Sequence, residues 1–279
     1  VMVLTLLIAG MLTLEFNVQP VKAIETIYVR ADGSVDPPTA PIQRDGDIYT
    51  LTDNVTSDNV GIVIERNNIV LDGAGHTVQG GRDWNGIYLS GRSNVTIKNA
   101  RINGSRYGIV LDLSSNNTVS GNIITNSGLE GISVGRSRAN VVSGNIVTNS
   151  GNGIHLLGSD NTVSGNIVTN NTDGIVLEGS FDNIVSGNIV TNNSATGIML
   201  YFSSSNNIVS GNNITNNSDG IWLWSSFYNT VCGNNITNNN GDGIRLSLSS
   251  NSSVFGNNIT NNNAGIILSF CPESTLKSN

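Results

Sequence analysis

A Gly-Ile pair returns nine times along this chain, at Gly86-Ile87, Gly108-Ile109, Gly131-Ile132, Gly153-Ile154, Gly174-Ile175, Gly197-Ile198, Gly220-Ile221, Gly243-Ile244 and Gly265-Ile266, in steps of 21 to 23 residues. A fixed period of this length means stacked units, none of which can bury its apolar face alone. Between the pairs stands a second recurring unit, Asn117-Thr-Val-Ser-Gly-Asn122, with copies at 140–145, 161–166, 183–188, 207–212 and 229–234. Each period holds three short runs that alternate inward and outward residues, such as Ile154-His155-Leu156, Thr162-Val163-Ser164 and Ile167-Val168-Thr169. Alternation with a period of two is the pattern of half-buried strands. The Gly and Asn residues between the runs accept the left-handed backbone of tight corners. The prediction is an all-β chain: a right-handed single-stranded parallel β-helix, or β-solenoid, of about nine coils of roughly 22 residues with three short strands per coil.

In such a stack every inward position becomes a ladder of like residues. Ile87 to Ile266 at the Gly-Ile pairs form one ladder, and Leu89, Leu111, Val134, Leu156, Leu177, Leu200, Leu223, Leu246 and Leu268 form the next. Val119, Val142, Val163, Val185, Val209 and Val231 supply a second wall, and Ile124, Val147, Val168, Val190, Ile214, Ile236 and Ile259 a third. The asparagine columns, such as Asn122, Asn145, Asn166, Asn188, Asn212, Asn234 and Asn257, read as side-chain amides hydrogen-bonded along the stack, in preference to a polar binding strip.

Composition limits what such a chain can do. Only 12% of residues are charged, beside 44 asparagines and 32 glycines, and the net charge of -7 argues against nucleic acid as a partner. Cys232 and Cys271 are too few for a disulfide framework and lack zinc-site spacing. Residues 1–23 read as an export signal, with an apolar run from Met2 to Leu14 and a small-residue cleavage site ending at Ala23, which places the mature protein in the periplasm, at the cell surface or outside the cell. Residues 24–58 lack the repeat, contain Asp36-Pro37-Pro38 and are expected to cap the solenoid, whose repeats run through 59–279. No comparable cover follows Leu268, so the last coil is expected to be a poorly protected rung and a place for self-association. Eleven Asn-x-Ser/Thr sequons occur, Asn54, Asn94 and Asn103 among them, but these residue types are also what the corners require.

The segment Asn68-Ile-Val-Leu-Asp-Gly-Ala-Gly-His-Thr-Val78, then Ser93-Asn-Val-Thr-Ile-Lys-Asn99 and the Gly-Ile and Ser-Gly-Asn repeats, resembles the NosD-type periplasmic copper-associated β-helix proteins and the wider group of carbohydrate-binding and sugar-hydrolase β-helix domains. Ile27-Tyr-Val-Arg-Ala-Asp-Gly-Ser34 through Asp47-Ile-Tyr-Thr-Leu51 is similar to the entry region of secreted archaeal proteins of this type. The resemblance implies the solenoid fold. For activity it implies either maturation of a copper enzyme or binding or cleavage of polysaccharide, and the outward residues must decide.

Tyr201, Trp222 and Trp224 fall on one outward strip in successive coils, with Phe202, Phe227 and Tyr228 in adjoining turns, in a chain with only 5% aromatic residues. Rings on a flat sheet are plates for the C–H faces of sugars, and Glu178 and Arg245 lie near enough by repeat arithmetic to bond hydroxyls. The expected partner is therefore a polysaccharide or envelope glycan, bound without catalysis; packing or assembly is the plain structural alternative. Asp219 and Asp242, one rung apart, have the spacing of a retaining glycosidase pair or of a shared calcium ion, but acidic residues before glycine also suit turns. Copper would require His76, His155, Met199, Cys232 or Cys271 to converge; His155 and Met199 stand two coils apart, and no cofactor is expected.

Overall fold

The computed structural model describes residues 25–279, so the export signal read at 1–23 lies outside the described residues. The described chain is a parallel β-solenoid of three long sheets of twelve, twelve and ten strands, with no helix among the described residues. Successive coils pair in the predicted register: Ile154 lies between Ile132 and Ile175 in the first sheet, Val163 between Val142 and Val185 in the second, and Val168 between Val147 and Val190 in the third. Nearly all of the predicted ladder residues are fully buried and form one continuous core. The exceptions are in the final coil, where Ile259 and Ile266 are half-buried and Leu268 is exposed, because a rung covers them on one side only.

The stack has about ten coils, one more than the nine Gly-Ile pairs suggest. Gly61-Ile62 is a further member of that column, 25 residues ahead of the next, and Ile62 pairs with Ile87. Residues 27–58 supply strands as well: Ile27–Val29 and Ile48–Leu51 run parallel to the coil that follows, while Val35–Asp36 and Ile42–Asp45 pair antiparallel at the open edge.

Corners follow one local rule, a left-handed residue followed by an inward asparagine. Gly165 at φ +63° precedes Asn166, and Asn170 at φ 57° precedes Asn171. Such a bend would strand the amide behind it, and the asparagine ladder repairs this. Asn145 donates both its backbone N–H and its Nδ2 to Oδ1 of Asn166, at 2.9 and 3.0 Å, and Asn166 does the same to Asn188, while Nδ2 of Asn166 also reaches the carbonyl of Val142 at 2.9 Å. Ladders of this kind line all three corners, so the asparagine columns are interior structure.

The glycine of the Gly-Ile pair serves a different purpose. It lies in an extended strand, and a Cβ on Gly174 would stand 2.3 Å from the carbonyl oxygen of Gly197 and 2.5 Å from Cγ1 of Val190. The column thus permits the first and third sheets to close on each other. Gly174→Ala is expected to cost at least about 2 kcal/mol, because neighbouring coils must part. Gly165→Ala meets open space and only backbone strain, so about 1 kcal/mol is expected, and Gly165→Asn less. Urea unfolding midpoints of the three variants check this order; equal losses for Gly174→Ala and Gly165→Ala would contradict it.

Candidate functional site

The outer face of the first sheet carries most of the chemistry of the repeat coils. Across four successive coils, Glu130, His155, Glu178 and Tyr201 form a chain of polar contacts that crosses the outward columns diagonally. His155 Nδ1 lies 2.7 Å from Glu130 Oε1, its Nε2 lies 3.2 Å from Glu178 Oε2, and the Tyr201 hydroxyl donates to the same Glu178 oxygen at 2.7 Å. The Nε2 contact is off the line of a hydrogen bond and leaves that buried nitrogen without a partner. Val176, on the outward column, is buried beneath this cluster.

Burial alone would lower the His155 pKa, but the hydrogen bond to and charge of Glu130, with the charge of Glu178, outweigh it and hold the imidazole above its ordinary value. Burial would raise Glu130, and the His155 bond and charge bring it below the usual glutamate range. Tyr201 is pushed well up by burial and by its bond to Glu178, which favours the neutral phenol. Asp173 is raised, mainly by burial, against the hydrogen bonds it accepts from Thr196.

These directions fix a pH dependence. His155 contributes stability that is whole below its reference value of 6.5 and is lost as pH rises through its higher folded value; Glu130 contributes stability that is whole above 4.5 and is lost as pH falls through its lower folded value. The pair therefore stabilises most between pH 4.5 and 6.5. Thermal melts against pH are expected to show the alkaline decline flattened in His155→Gln; an unchanged decline would contradict the assignment.

Beside the cluster, toward the N-terminus, a groove of about 300 Å³ is lined by Tyr88, Tyr107, Val110, Glu130, Ser133 and His155. The first-sheet strand here is lengthened, Glu130–Arg138, and breaks register between Gly135 and Ser137. Toward the C-terminus lies the aromatic strip. Trp222 and Trp224 are stacked with ring centroids 6.1 Å apart at 21°, Phe202 sits 6.1 Å from Trp224, and Tyr201 sits 4.8 Å from Phe202. The Arg245 guanidinium lies 5.2 Å from the Trp222 ring centre. Trp222 Nε1, Arg245 Nε and Ser247 Oγ, on two paired strands, have no hydrogen-bond partner.

The structure thus brings together Tyr201, Trp222, Trp224, Glu178 and Arg245 on one face and joins His155 to them. Glu130 and its partnership with His155 escaped the sequence reading, which compared residues along columns; the contact runs between columns, although coil arithmetic does place the two residues one rung apart. Asp219 accepts the backbone N–H of Asp242 at 2.8 Å, as Asp173 accepts that of Thr196, so this column ties one coil to the next. His76 occupies the corner between the second and third sheets, away from His155. Cys232 and Cys271 are both unbridged, and Cys271 Sγ accepts the Ser249 amide. Among the described residues no three His, Cys, Asp or Glu side chains are arranged to hold a metal ion.

Three parallel sheets wound by one chain, with an uninterrupted apolar interior and a decorated outer face, define a parallel β-solenoid protein. The right handed beta helix region family matches residues 85–231 and 145–279, and the chain belongs to that family. No curated protein matches the sequence. Solved structures share the fold at low identity. A double mutant of the periplasmic alginate epimerase AlgG is 16% identical, with 90% of this chain and 83% of that chain covered and a TM-score of 0.64. The A-module of the Azotobacter vinelandii mannuronan C-5 epimerase AlgE4 is 18% identical, covering 84% and 79%, with a TM-score of 0.57. The alginate lyase of Paenibacillus sp. str. FPU-7 is 16% identical, covering 84% and 89%, with a TM-score of 0.58.

Proposed function

We propose that the outer face of the first sheet binds a polysaccharide chain without cleaving it, in an exported protein. The observation that carries this reading is the stacked Trp222–Trp224 pair, half-buried and exposed respectively, with Arg245 at its edge. Pyranose C–H faces stack on such plates. The Tyr88–Tyr107 groove offers a second contact on the same face, so a polymer lying along the solenoid axis meets both.

Two features weigh against a proton-transfer reaction here. Glu130 and Glu178 both favour the protonated imidazole of His155, and burial and Glu178 favour the neutral phenol of Tyr201, so the basic form of each is disfavoured. Charge favours an uncharged glycan over a polyuronate: the carboxylates Glu130, Asp173 and Glu178 outnumber His155 and Arg245 on this face, and Arg136 is paired with Asp112. Affinity electrophoresis in gels containing neutral polysaccharides or alginate tests the reading. Retardation by a neutral polymer, without release of reducing ends or unsaturated uronides, is expected; migration unaffected by every polymer, or product release, would overturn it.

A further inference from the structure

The column that holds His155 continues with Ser133 on one side and Val176 on the other, so the stack itself does not require an imidazole there. The ring is nevertheless largely buried, with Val176 closing the space beneath it. The titratable groups that face it from the neighbouring coils are acids: Glu130 on the preceding strand, Glu178 on the following one, and beyond Glu178 the Tyr201 phenol. Asp173, on the same strand as Glu178, accepts the Thr196 amide. Arg136 and Arg138, on the strand of Glu130, are paired with Asp112 and Asp160. The strand of His155 itself, Asn152–Ser159, carries no other charged group. The imidazole is therefore the one cation set between Glu130 and Glu178.

An imidazolium has two N–H groups and satisfies both carboxylates at once, whereas a neutral imidazole keeps one N–H and presents a lone pair on its other nitrogen. Loss of the proton thus leaves one carboxylate facing a lone pair in a site mostly closed to water. Glu130 keeps its partner, because its 2.7 Å contact to Nδ1 is a hydrogen bond and it is the more buried of the two. Glu178, 3.2 Å from Nε2 and off the hydrogen-bond line, is the more exposed and can turn to solvent. The Tyr201 hydroxyl donates to that same Glu178 oxygen, and the Tyr201 ring lies 4.8 Å from Phe202, which lies 6.1 Å from Trp224. We infer that the proton on His155 is a latch on the aromatic strip. While it is present, Glu178 holds Tyr201 beside Phe202 and Trp224; when it leaves for solvent, Glu178 and Tyr201 are released and the strip loses a plate. Because Glu130 and Glu178 hold the imidazole above its ordinary 6.5, the latch is closed below that pH and opens as pH rises through the higher folded value. The consequence for glycan rests on the polysaccharide-binding reading; the movement of Tyr201 does not.

Two measurements test the inference, both at pH values where circular dichroism shows the fold intact. Without polymer, oxidation of Tyr201 by hydroxyl radicals is expected to rise with pH through the midpoint at which the His155 imidazole resonance titrates, a resonance told from that of His76 by its loss in His155→Gln. His155→Gln, neutral at every pH, should show the faster oxidation throughout. In affinity electrophoresis with a neutral polysaccharide, wild-type affinity is expected to fall about ten-fold through the same midpoint, the effect of losing one well-placed ring. By linkage the polymer should raise the His155 midpoint by about one pH unit. His155→Gln should bind with the weaker affinity at every pH, and Glu178→Gln, with no charge to lose its partner, should flatten the profile. Tyr201 oxidation indifferent to the His155 titration would overturn the inference, as would a polymer bound equally tightly on both sides of the midpoint. If no polymer is retained at any pH, the glycan reading fails and the oxidation of Tyr201 alone decides the latch.

Discussion

Asn166→Asp is expected to destabilise the protein by at least about 3 kcal/mol, although it exchanges one atom for another of nearly equal size. Asn166 is fully buried, and its Nδ2 donates to Asn188 Oδ1, Val142 O and Ser164 O at 2.9, 2.9 and 3.2 Å. An aspartate there would place a second oxygen against three acceptors, with no cation in the interior to compensate. Whether it ionises or takes up a proton, the ladder loses donors that nothing else supplies. For a chain of this length the loss corresponds to a fall in melting temperature of roughly 6–12 °C. The matched control is Asn149→Asp, at an exposed left-handed corner, where a change within about 0.5 kcal/mol is expected. Thermal denaturation followed by circular dichroism separates the two, and equal effects at both positions would contradict the buried-ladder account.

Trp222→Ala/Trp224→Ala is the substitution expected to cost the most function while leaving the fold intact. Both side chains point outward from a strand whose inward residues, Ile221 and Leu223, are fully buried and untouched by the change. Removing a stacking plate at the centre of a recognition face typically costs about 2 kcal/mol, a factor of about 30 in affinity. The pair should therefore reduce retention on a neutral polysaccharide by at least about that factor, with the melting temperature held. Arg245→Gln, beside Trp222, should act in the same direction but more weakly, since it keeps side-chain donors and much of the packing surface. Isothermal titration with a soluble neutral polysaccharide gives the numbers; retained affinity in the double variant would remove the aromatic plate from the site.

The solenoid could be read from sequence because its physics is one-dimensional. Once the period is known, the register of Ile154 on Ile132 and of Val163 on Val142 follows, and with it the interior and exterior of every strand. Gly61-Ile62 was harder to see only because an insertion lengthens its coil. The aromatic strip was legible for the same reason, since Met199 and Trp222 are register partners, as are Trp222 and Arg245. The polar cluster was not. The bond from Glu130 to His155 spans two outward columns, and long side chains can lean toward several neighbours; burial and charge select among them. Val176 shows the converse: alternation places it outside, yet the side chains above remove it from water. The role of the Gly-Ile glycine also lay beyond the pattern, because a glycine kept for close approach and one kept for a left-handed corner look alike as letters.

Hydroxyl-radical footprinting, with and without a saturating neutral polysaccharide, tests most directly whether the first sheet is the binding face. Oxidation of Tyr201, Trp222 and Trp224 should fall on binding, while Phe255 on the second sheet, exposed and outside the proposed contact, should react as before. Unaltered oxidation of the three aromatic residues in a protein demonstrably holding polymer, or protection of Phe255 in their place, would contradict the account.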